Sequence, residues 1–206
     1  MDILDSLKQE VYSKIEGDSA HDFTHIMRVY ENAKKICKKE KANSKLVLSA
    51  VLLHDIISYP KSDKRSKLSS LHSSIEARKI LLKYDFLDDE IKIICDAILE
   101  HSFSVNRTPL TLEGKILQDA DRLDALGAIG IARVFAVSGS EKRPFYNPQD
   151  PFCKKRNPDD NHWSVDHFFQ KLLRLESLMN TKSGKIEAKN RTKILKRFLR
   201  NLQKEI

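Results

Sequence analysis

One nearly continuous apolar segment constrains the fold more than any other feature. Residues 44–57 read SKLVLSAVLLHDII, and between Leu46 and Leu53 only Ser49 is polar. A helix that is apolar on all sides is a buried helix, so the rest of the chain must pack around it. The segment delivers His54 and Asp55 into the interior, where an unpaired charge is costly. These two side chains must be satisfied either by hydrogen bonds or by further ligand-type residues from elsewhere in the chain.

The composition indicates one compact helical domain. The chain has 206 residues, of which 40% are hydrophobic and 32% charged, with 6 Gly and 6 Pro, which argues against disorder or a collagen-like fold. No apolar run approaches the roughly 20 residues that span a bilayer, and the first residues lack the features of a secretory signal. Three cysteines without metal-knuckle spacing fit a reducing compartment. We therefore expect a cytoplasmic protein.

The positive charge is concentrated at the C-terminus. The chain carries a net charge of +8, and residues 181–206 hold nine Lys or Arg against two Glu, which gives +7 and leaves +1 for the other 180 residues. A basic helical face is most simply a solvated surface, although it can bind nucleic acid or an acidic partner. The sequence therefore disfavours nucleic acid as a partner.

Apolar residues recur at helical spacing along most of the chain. This periodicity predicts helices over residues 3–15, 23–37, 44–57, 71–84, 88–101, 111–127, 128–137 and 165–179, and a basic C-terminal helix that begins after Gly184. Residues 58–67 form a polar, proline-marked loop, and four prolines interrupt residues 138–162. A loop of the latter length is usually functional or mobile. No segment has a convincing strand pattern, so the fold class is all-α.

Two groups of ligand-type residues lie outside the central segment. His21 and His25 are four apart and share a face if the helix is continuous, and HDFTH resembles the zincin box with aspartate replacing glutamate. A protease interpretation is disfavoured, because no third ligand follows and His21 lies where the helix begins. Asp119, Asp121 and Asp124 lie in an otherwise apolar helix, and helical phase does not choose among them.

These residues together resemble a known motif. His25 precedes Arg28-Val29, the His54-Asp55 pair follows the apolar run, and Asp121 stands in the sequence ADRL. This order resembles the H…HD…D signature of the HD superfamily of metal-dependent phosphohydrolases, in its compact single-domain bacterial and archaeal form, over about residues 20–180. The resemblance implies an orthogonal helical bundle in which residues 1–206 form a single HD domain. Its parts would be a core motif region at 20–137, the irregular loop at 138–162 and C-terminal helices at 163–206.

The resemblance also implies a ligand set. The metal ligands would be His25, His54, Asp55 and Asp121. Two imidazoles and two carboxylates suit a six-coordinate divalent cation, for which Mn²⁺ is favoured and Mg²⁺, Fe²⁺, Co²⁺ and Ni²⁺ are alternatives. Such a metal activates water and polarises a phosphoryl oxygen, so that no serine or cysteine nucleophile is needed.

Further site residues follow from position in the same pattern. Histidines placed like His72 and His101 hold a second metal in binuclear relatives, whereas in mononuclear ones they contact phosphate or transfer protons. We favour the mononuclear case, so His72, His101 and Asp124 are expected to be catalytic. Asp124 would act by orienting a metal ligand or fixing Arg122, with a surface or helix-pairing role as the equal alternative. Phosphate binding is expected from cations and one further histidine, with a solvated loop as the alternative for the loop cations. These substrate-binding residues are Lys61, Lys64, Arg65, Arg122 and His21.

The resemblance implies that the protein hydrolyses a phosphate ester or anhydride, and nucleoside triphosphate pyrophosphohydrolysis is the leading hypothesis. The alternatives are a phosphomonoesterase, a cyclic-nucleotide phosphodiesterase or a non-catalytic nucleotide-binding regulatory module. The expected partner is a small phosphorylated molecule, a nucleotide in particular, and not a membrane. The sequence leaves homodimerisation open.

Overall fold

The computed structural model describes residues 2–14, 23–59, 63–103 and 107–206. In these residues the helices are α1 (Ile3–Lys14), α2 (Phe23–Glu40), α3 (Ser44–Leu53), α4 (Ser69–Leu81), α5 (Asp88–Glu100), α6 (Leu112–Asp124), α7 (Gly127–Ser140), α8 (Asp166–Gln170) and α9 (Lys182–Glu205). Among the described residues, 3-10 helices cover Lys64–Leu68 and Leu172–Leu178. No strand occurs among the described residues, which confirms the predicted all-α class.

The chain divides into two compact units, Met1–Asp121 and Arg122–Ile206. In the first unit α3 is the buried centre and packs against α1, α2, α4 and α5, as its apolar sequence predicts. Asn43 caps its start by accepting hydrogen bonds from the backbone N–H groups of Lys45 and Leu46. The helix ends at Leu53 rather than at Ile57, so His54 and Asp55 lie in the turn that follows it.

In the second unit α9 packs against α7 and against the 3-10 helix Leu172–Leu178. Leu195 and Leu199 of α9 are buried, and Phe198 stacks on the fully buried Phe168 with ring centroids 5.6 Å apart. Two predictions for this region are wrong. Gly184 does not separate helices, because α9 already begins at Lys182. The helix predicted over 165–179 is broken at Lys171, whose backbone is not helical.

The irregular segment begins later than predicted, because α7 continues to Ser140, and it extends to Val165. Its organising group is the buried carboxylate of Asp166. Arg156 pairs with both oxygens of this carboxylate, and the backbone N–H of Asp159 donates to it at 2.7 Å. A buried charge is tolerated when it is paired and hydrogen-bonded in this way, so internal bonds determine the conformation of the segment.

In the part of the chain that the structure describes, no single helix is long and apolar enough to cross a membrane. The consecutive helices α6 and α7, taken as a bent pair, meet that test by length and composition.

Candidate metal centre

The first unit brings four predicted ligands together from two helices and from the turn that follows a third. His25 lies in the first turn of α2, His54 and Asp55 lie in the turn after α3, and Asp121 lies on α6. Nε2 of His25 is 3.6 Å from Oδ1 of Asp121 and 3.7 Å from Oδ2 of Asp55. Nε2 of His54 is 3.6 Å from the same Asp55 oxygen. These separations are longer than a hydrogen bond, as expected of ligands around one shared cation.

His101 joins the cluster from the end of α5. Its Nε2 lies 3.7 Å from Oδ1 of Asp55, and its ring stands nearly perpendicular to that of His54 with centroids 5.0 Å apart. The ligand atoms form two overlapping groups in which all atoms lie within 4.8 Å of one another. One group is His25, His54 and Asp121, and the other is His54, Asp55 and His101.

Backbone carbonyls fix the orientation of two of these rings. Nδ1 of His54 donates to the carbonyl of Val51, and Nδ1 of His101 donates to that of Ile98, each at 2.6 Å. A carbonyl oxygen only accepts, so Nδ1 carries the proton and Nε2 keeps its lone pair for a ligand. Among the described residues, Nε2 of the fully buried His54 has no hydrogen-bond partner. A buried nitrogen left in this state is destabilising, and a cation at the cluster would satisfy it.

The electrostatics of the cluster favour ionised carboxylates and a neutral His54. Burial opposes ionisation of Asp55, but the neighbouring His54, together with the nearby rings of His101 and His25, holds the pKa of Asp55 well below its usual range. The pKa of Asp121 is likewise lowered, since the three histidines outweigh burial. Burial lowers the pKa of His54. In His101 burial is outweighed by Asp55, so its pKa is raised. Deprotonated Asp and neutral His are the forms that bind metals.

Comparison with known proteins identifies the family. The model of the HD domain matches residues 22–126. This chain belongs to the HD domain family. The uncharacterised protein YpgQ of Bacillus subtilis is 35% identical over 192 residues, which cover 93% of this chain and 87% of YpgQ.

Solved structures agree with this assignment. The crystal structure of Bacillus subtilis YpgQ in complex with ADP superposes with a TM-score of 0.78 at 33% identity, covering 98% of this chain and 94% of that one. The crystal structure of an HD-superfamily hydrolase from Bacillus thuringiensis superposes with a TM-score of 0.76 at 33% identity, covering 98% of this chain and 95% of that one. These matches confirm the resemblance to the HD superfamily and the helical fold that it implies.

Other residues expected at the HD site have different surroundings. His72 belongs to neither ligand group, and its Nδ1 shares a 2.9 Å hydrogen bond with the hydroxyl of Tyr59. Arg65 is held by the carboxylate of Asp63, and its guanidinium lies 4.5 Å from the centre of the Tyr59 ring. Lys64 is exposed at the start of its 3-10 helix. His21 and Lys61 lie outside the described residues.

Two predicted residues follow Asp121 on α6 and belong to the second unit of the HD protein. The buried carboxylate of Asp124 accepts a hydrogen bond of 2.7 Å from Arg133, and the guanidinium of Arg122 donates to the carbonyl of Leu178. Both side chains thus make contacts that fix the local packing of this unit. Asp119, the other acidic candidate, is fully buried, whereas Asp121 keeps 29% of its side chain exposed within the ligand group.

Sequence reasoning missed two residues that support the HD site from α2 and α6. The amide nitrogen of Gln118 lies within hydrogen-bond distance of the carbonyls of Glu100, His101 and Arg107, and so holds the chain at His101. Asn32 donates to the carbonyl of Ala120, next to Asp121. The available signal was a polar amide on an otherwise apolar helix face, since such a group must find partners when buried.

Proposed function

We propose that this protein is a metal-dependent phosphohydrolase that acts on a nucleotide, with nucleoside triphosphate pyrophosphohydrolysis favoured. The observation that carries the proposal is the convergence of three imidazoles and two carboxylates around the unpartnered Nε2 of His54, as found among the described residues. A cluster of this composition has no structural need in a helical core, because each buried polar group costs free energy unless it is satisfied.

The proposed metal ligands are His25, His54, Asp55 and Asp121. This mixed nitrogen and oxygen set suits Mn²⁺ best, with Mg²⁺, Fe²⁺, Co²⁺ and Ni²⁺ as alternatives. Once bound, the cation would supply Lewis acidity, lowering the pKa of a coordinated water and polarising a phosphoryl oxygen.

His101 is proposed to act as the general acid or base of the hydrolysis. Its Nδ1 is committed to the Ile98 carbonyl, so only Nε2 can accept or release a proton, and that atom faces Asp55. The raised pKa brings this imidazole towards neutral pH, where a general acid or base is most effective. Asp55 stays ionised and stabilises the imidazolium when it forms.

The remaining proposed roles concern substrate binding and site geometry. Lys64 and Arg65, with Lys61 and His21, would contact the phosphates. His72 is proposed as a substrate contact beside Tyr59. Arg122 and Asp124 would act as positioning residues, through their bonds to Leu178 and Arg133.

A nucleotide is favoured over other phosphate compounds because YpgQ of Bacillus subtilis has been crystallised with ADP and matches nearly the whole chain. Cleavage at the α-phosphate of a triphosphate would release pyrophosphate. A phosphomonoesterase or a cyclic-nucleotide phosphodiesterase would use the same ligand set on a different bond. A regulatory module would bind nucleotide without turnover.

The test combines elemental analysis of the purified protein with a panel of nucleoside mono-, di- and triphosphates, assayed separately for pyrophosphate and orthophosphate. We expect stoichiometric divalent metal and pyrophosphate release from triphosphates. His54→Ala should remove both, whereas the exposed charge reversals Lys193→Glu and Arg197→Glu should change neither. Loss of turnover in the charge reversals with retention in His54→Ala would refute the proposal, and nucleotide binding without turnover would favour the regulatory module.

A further inference from the structure

A cavity on the first unit is lined by residues that follow the metal-ligand pair His54-Asp55 in the chain and by residues of α4. It has a volume of about 240 Å³ and is lined by Ile57, Tyr59, His72, Ile75, Glu76 and Lys79. Ile57 is two residues beyond Asp55, and two residues of extended chain span at most about 7 Å. One wall of the cavity therefore stands within that distance of a proposed metal ligand.

The wall next to the metal centre is fixed by Ser73 of α4. The hydroxyl of Ser73 accepts a hydrogen bond of 3.1 Å from the backbone N–H of Ile57 and donates one of 3.0 Å to its carbonyl. Both backbone groups of Ile57 are thereby tied to one buried side chain. The spacing between the cavity and Asp55 is consequently set by the fold.

An aromatic side chain and an imidazole form a rigid corner of the cavity. The rings of Tyr59 and His72 meet at 78° with centroids 5.7 Å apart, and they share the hydrogen bond between the Tyr59 hydroxyl and Nδ1 of His72. Arg65, itself held by Asp63, packs on the Tyr59 ring. Neither ring needs to be ordered when a ligand binds, which lowers the cost of binding.

The chemistry of the lining suits a flat heteroaromatic ring. Ile57 and Ile75 provide apolar contact, and half of the Ile75 side chain surface is exposed although the residue is large and apolar. The hydrogen bond to Tyr59 occupies Nδ1 of His72, so Nε2 is the ring atom that can bond to a ring nitrogen or an exocyclic group of a ligand. A bound phosphate fits poorly here, because the carboxylate of Glu76 lines the same cavity and both of its oxygens are already paired, with Lys14 and Lys79.

We propose that this cavity holds the nucleobase of the nucleotide whose phosphates bind at the metal centre. The inference rests on the proposed function, because it assumes a nucleotide substrate with its phosphates at the metal centre and assigns a binding site to the base of that nucleotide. Base and phosphates would then occupy adjacent sites that share the chain between Asp55 and Tyr59. Stacking of a base on an aromatic ring such as that of Tyr59 contributes about 5- to 150-fold in affinity.

The test measures binding of two probes, ADP and inorganic pyrophosphate, by calorimetry with Mn²⁺ present. Ile75→Glu introduces a charged side chain into the cavity at a half-exposed position that tolerates it in the fold. The matched control is Ile186→Glu, because Ile186 is also an exposed helical isoleucine, 56% exposed against 50% for Ile75. We expect Ile75→Glu to weaken ADP at least tenfold and pyrophosphate less than twofold, with no effect of the control.

Three results would overturn the nucleobase site: no measurable ADP binding by the wild type, an unchanged ADP affinity in Ile75→Glu, or equal losses for both probes. The outcome is separable from that of the proposed function. If ADP binding depends on Ile75 but no nucleotide is hydrolysed, the cavity assignment stands and the hydrolase assignment fails. If nucleotides are hydrolysed and Ile75→Glu binds ADP with wild-type affinity, the hydrolase assignment stands and the cavity assignment fails.

Discussion

Replacing His54 with leucine should separate metal binding from stability. In the metal-free protein Nε2 of His54 is buried and has no hydrogen-bond partner among the described residues, which costs about 1–3 kcal/mol. Leucine removes this cost but also removes the bond from Nδ1 to the carbonyl of Val51, which stabilises by about 0.5–1.5 kcal/mol. Leucine also deprives the Asp55 carboxylate of the neighbouring imidazole. The opposing contributions nearly cancel, so the free energy of unfolding without metal should stay within about 1 kcal/mol of the wild-type value.

The same substitution should severely weaken metal binding. Four-ligand protein zinc sites bind with about 10–16 kcal/mol, or about 3 kcal/mol for each ligand. His54 belongs to both ligand groups, so His54→Leu is expected to lower metal affinity by more than 100-fold.

The assay is urea unfolding in the presence of a chelator, together with competition titration of Mn²⁺ against a chelating dye. Leu52→Ala is the matched control on the same buried helix, and it should lose about 2–5 kcal/mol of stability while the folded fraction keeps its metal affinity. The reasoning is refuted if metal-free His54→Leu is less stable than the wild type by more than about 1 kcal/mol, or if it binds Mn²⁺ as tightly.

Three further perturbations test other parts of the structure. Because Asp55 outweighs burial and raises the pKa of His101 above its ordinary 6.5, His101 becomes an imidazolium below that raised pKa and repels the cation, so Mn²⁺ affinity should fall as the pH is lowered through the raised pKa. Titrations of the protein with Mn²⁺ across this pH range measure the fall in affinity, and an affinity that does not change with pH would contradict the prediction. Asp166→Ala strands Arg156 and should cost about 3 kcal/mol in urea unfolding; an unchanged midpoint would show that the pair is not needed. A Cβ at Gly130 would collide with the backbone before α7, so Gly130→Ala should lower the unfolding temperature, whereas Gly139→Ala, with open space around it, should not.

Local sequence signals predicted the helices and much of the centre. The apolar run that leads to His54 predicted a buried helix, since a helix that is apolar on all sides must be covered. The ligand set came from the resemblance of His25, the His54-Asp55 pair and Asp121 to the HD-superfamily signature, and the structure brings these side chains together.

Features that depend on long-range geometry could not be predicted from the sequence. The position of His101 beside Asp55 depends on the angle at which α5 packs on α3, which periodicity does not encode. The pairing of Tyr59 with His72 joins residues on either side of a loop. In the same way, nothing in the spacing of Arg156 and Asp166 distinguishes an ordered segment from a mobile one, because the bonds that order it form only after the chain has folded.

The carbonyl bonds at Nδ1 of His54 and His101 have a consequence for how the centre is loaded. Both rings are already aimed before any ion arrives, so occupancy need not be coupled to folding, as it is in small zinc-dependent domains. The ion should therefore exchange reversibly on an intact scaffold, and the species found at this centre would follow the supply of divalent ions around the protein.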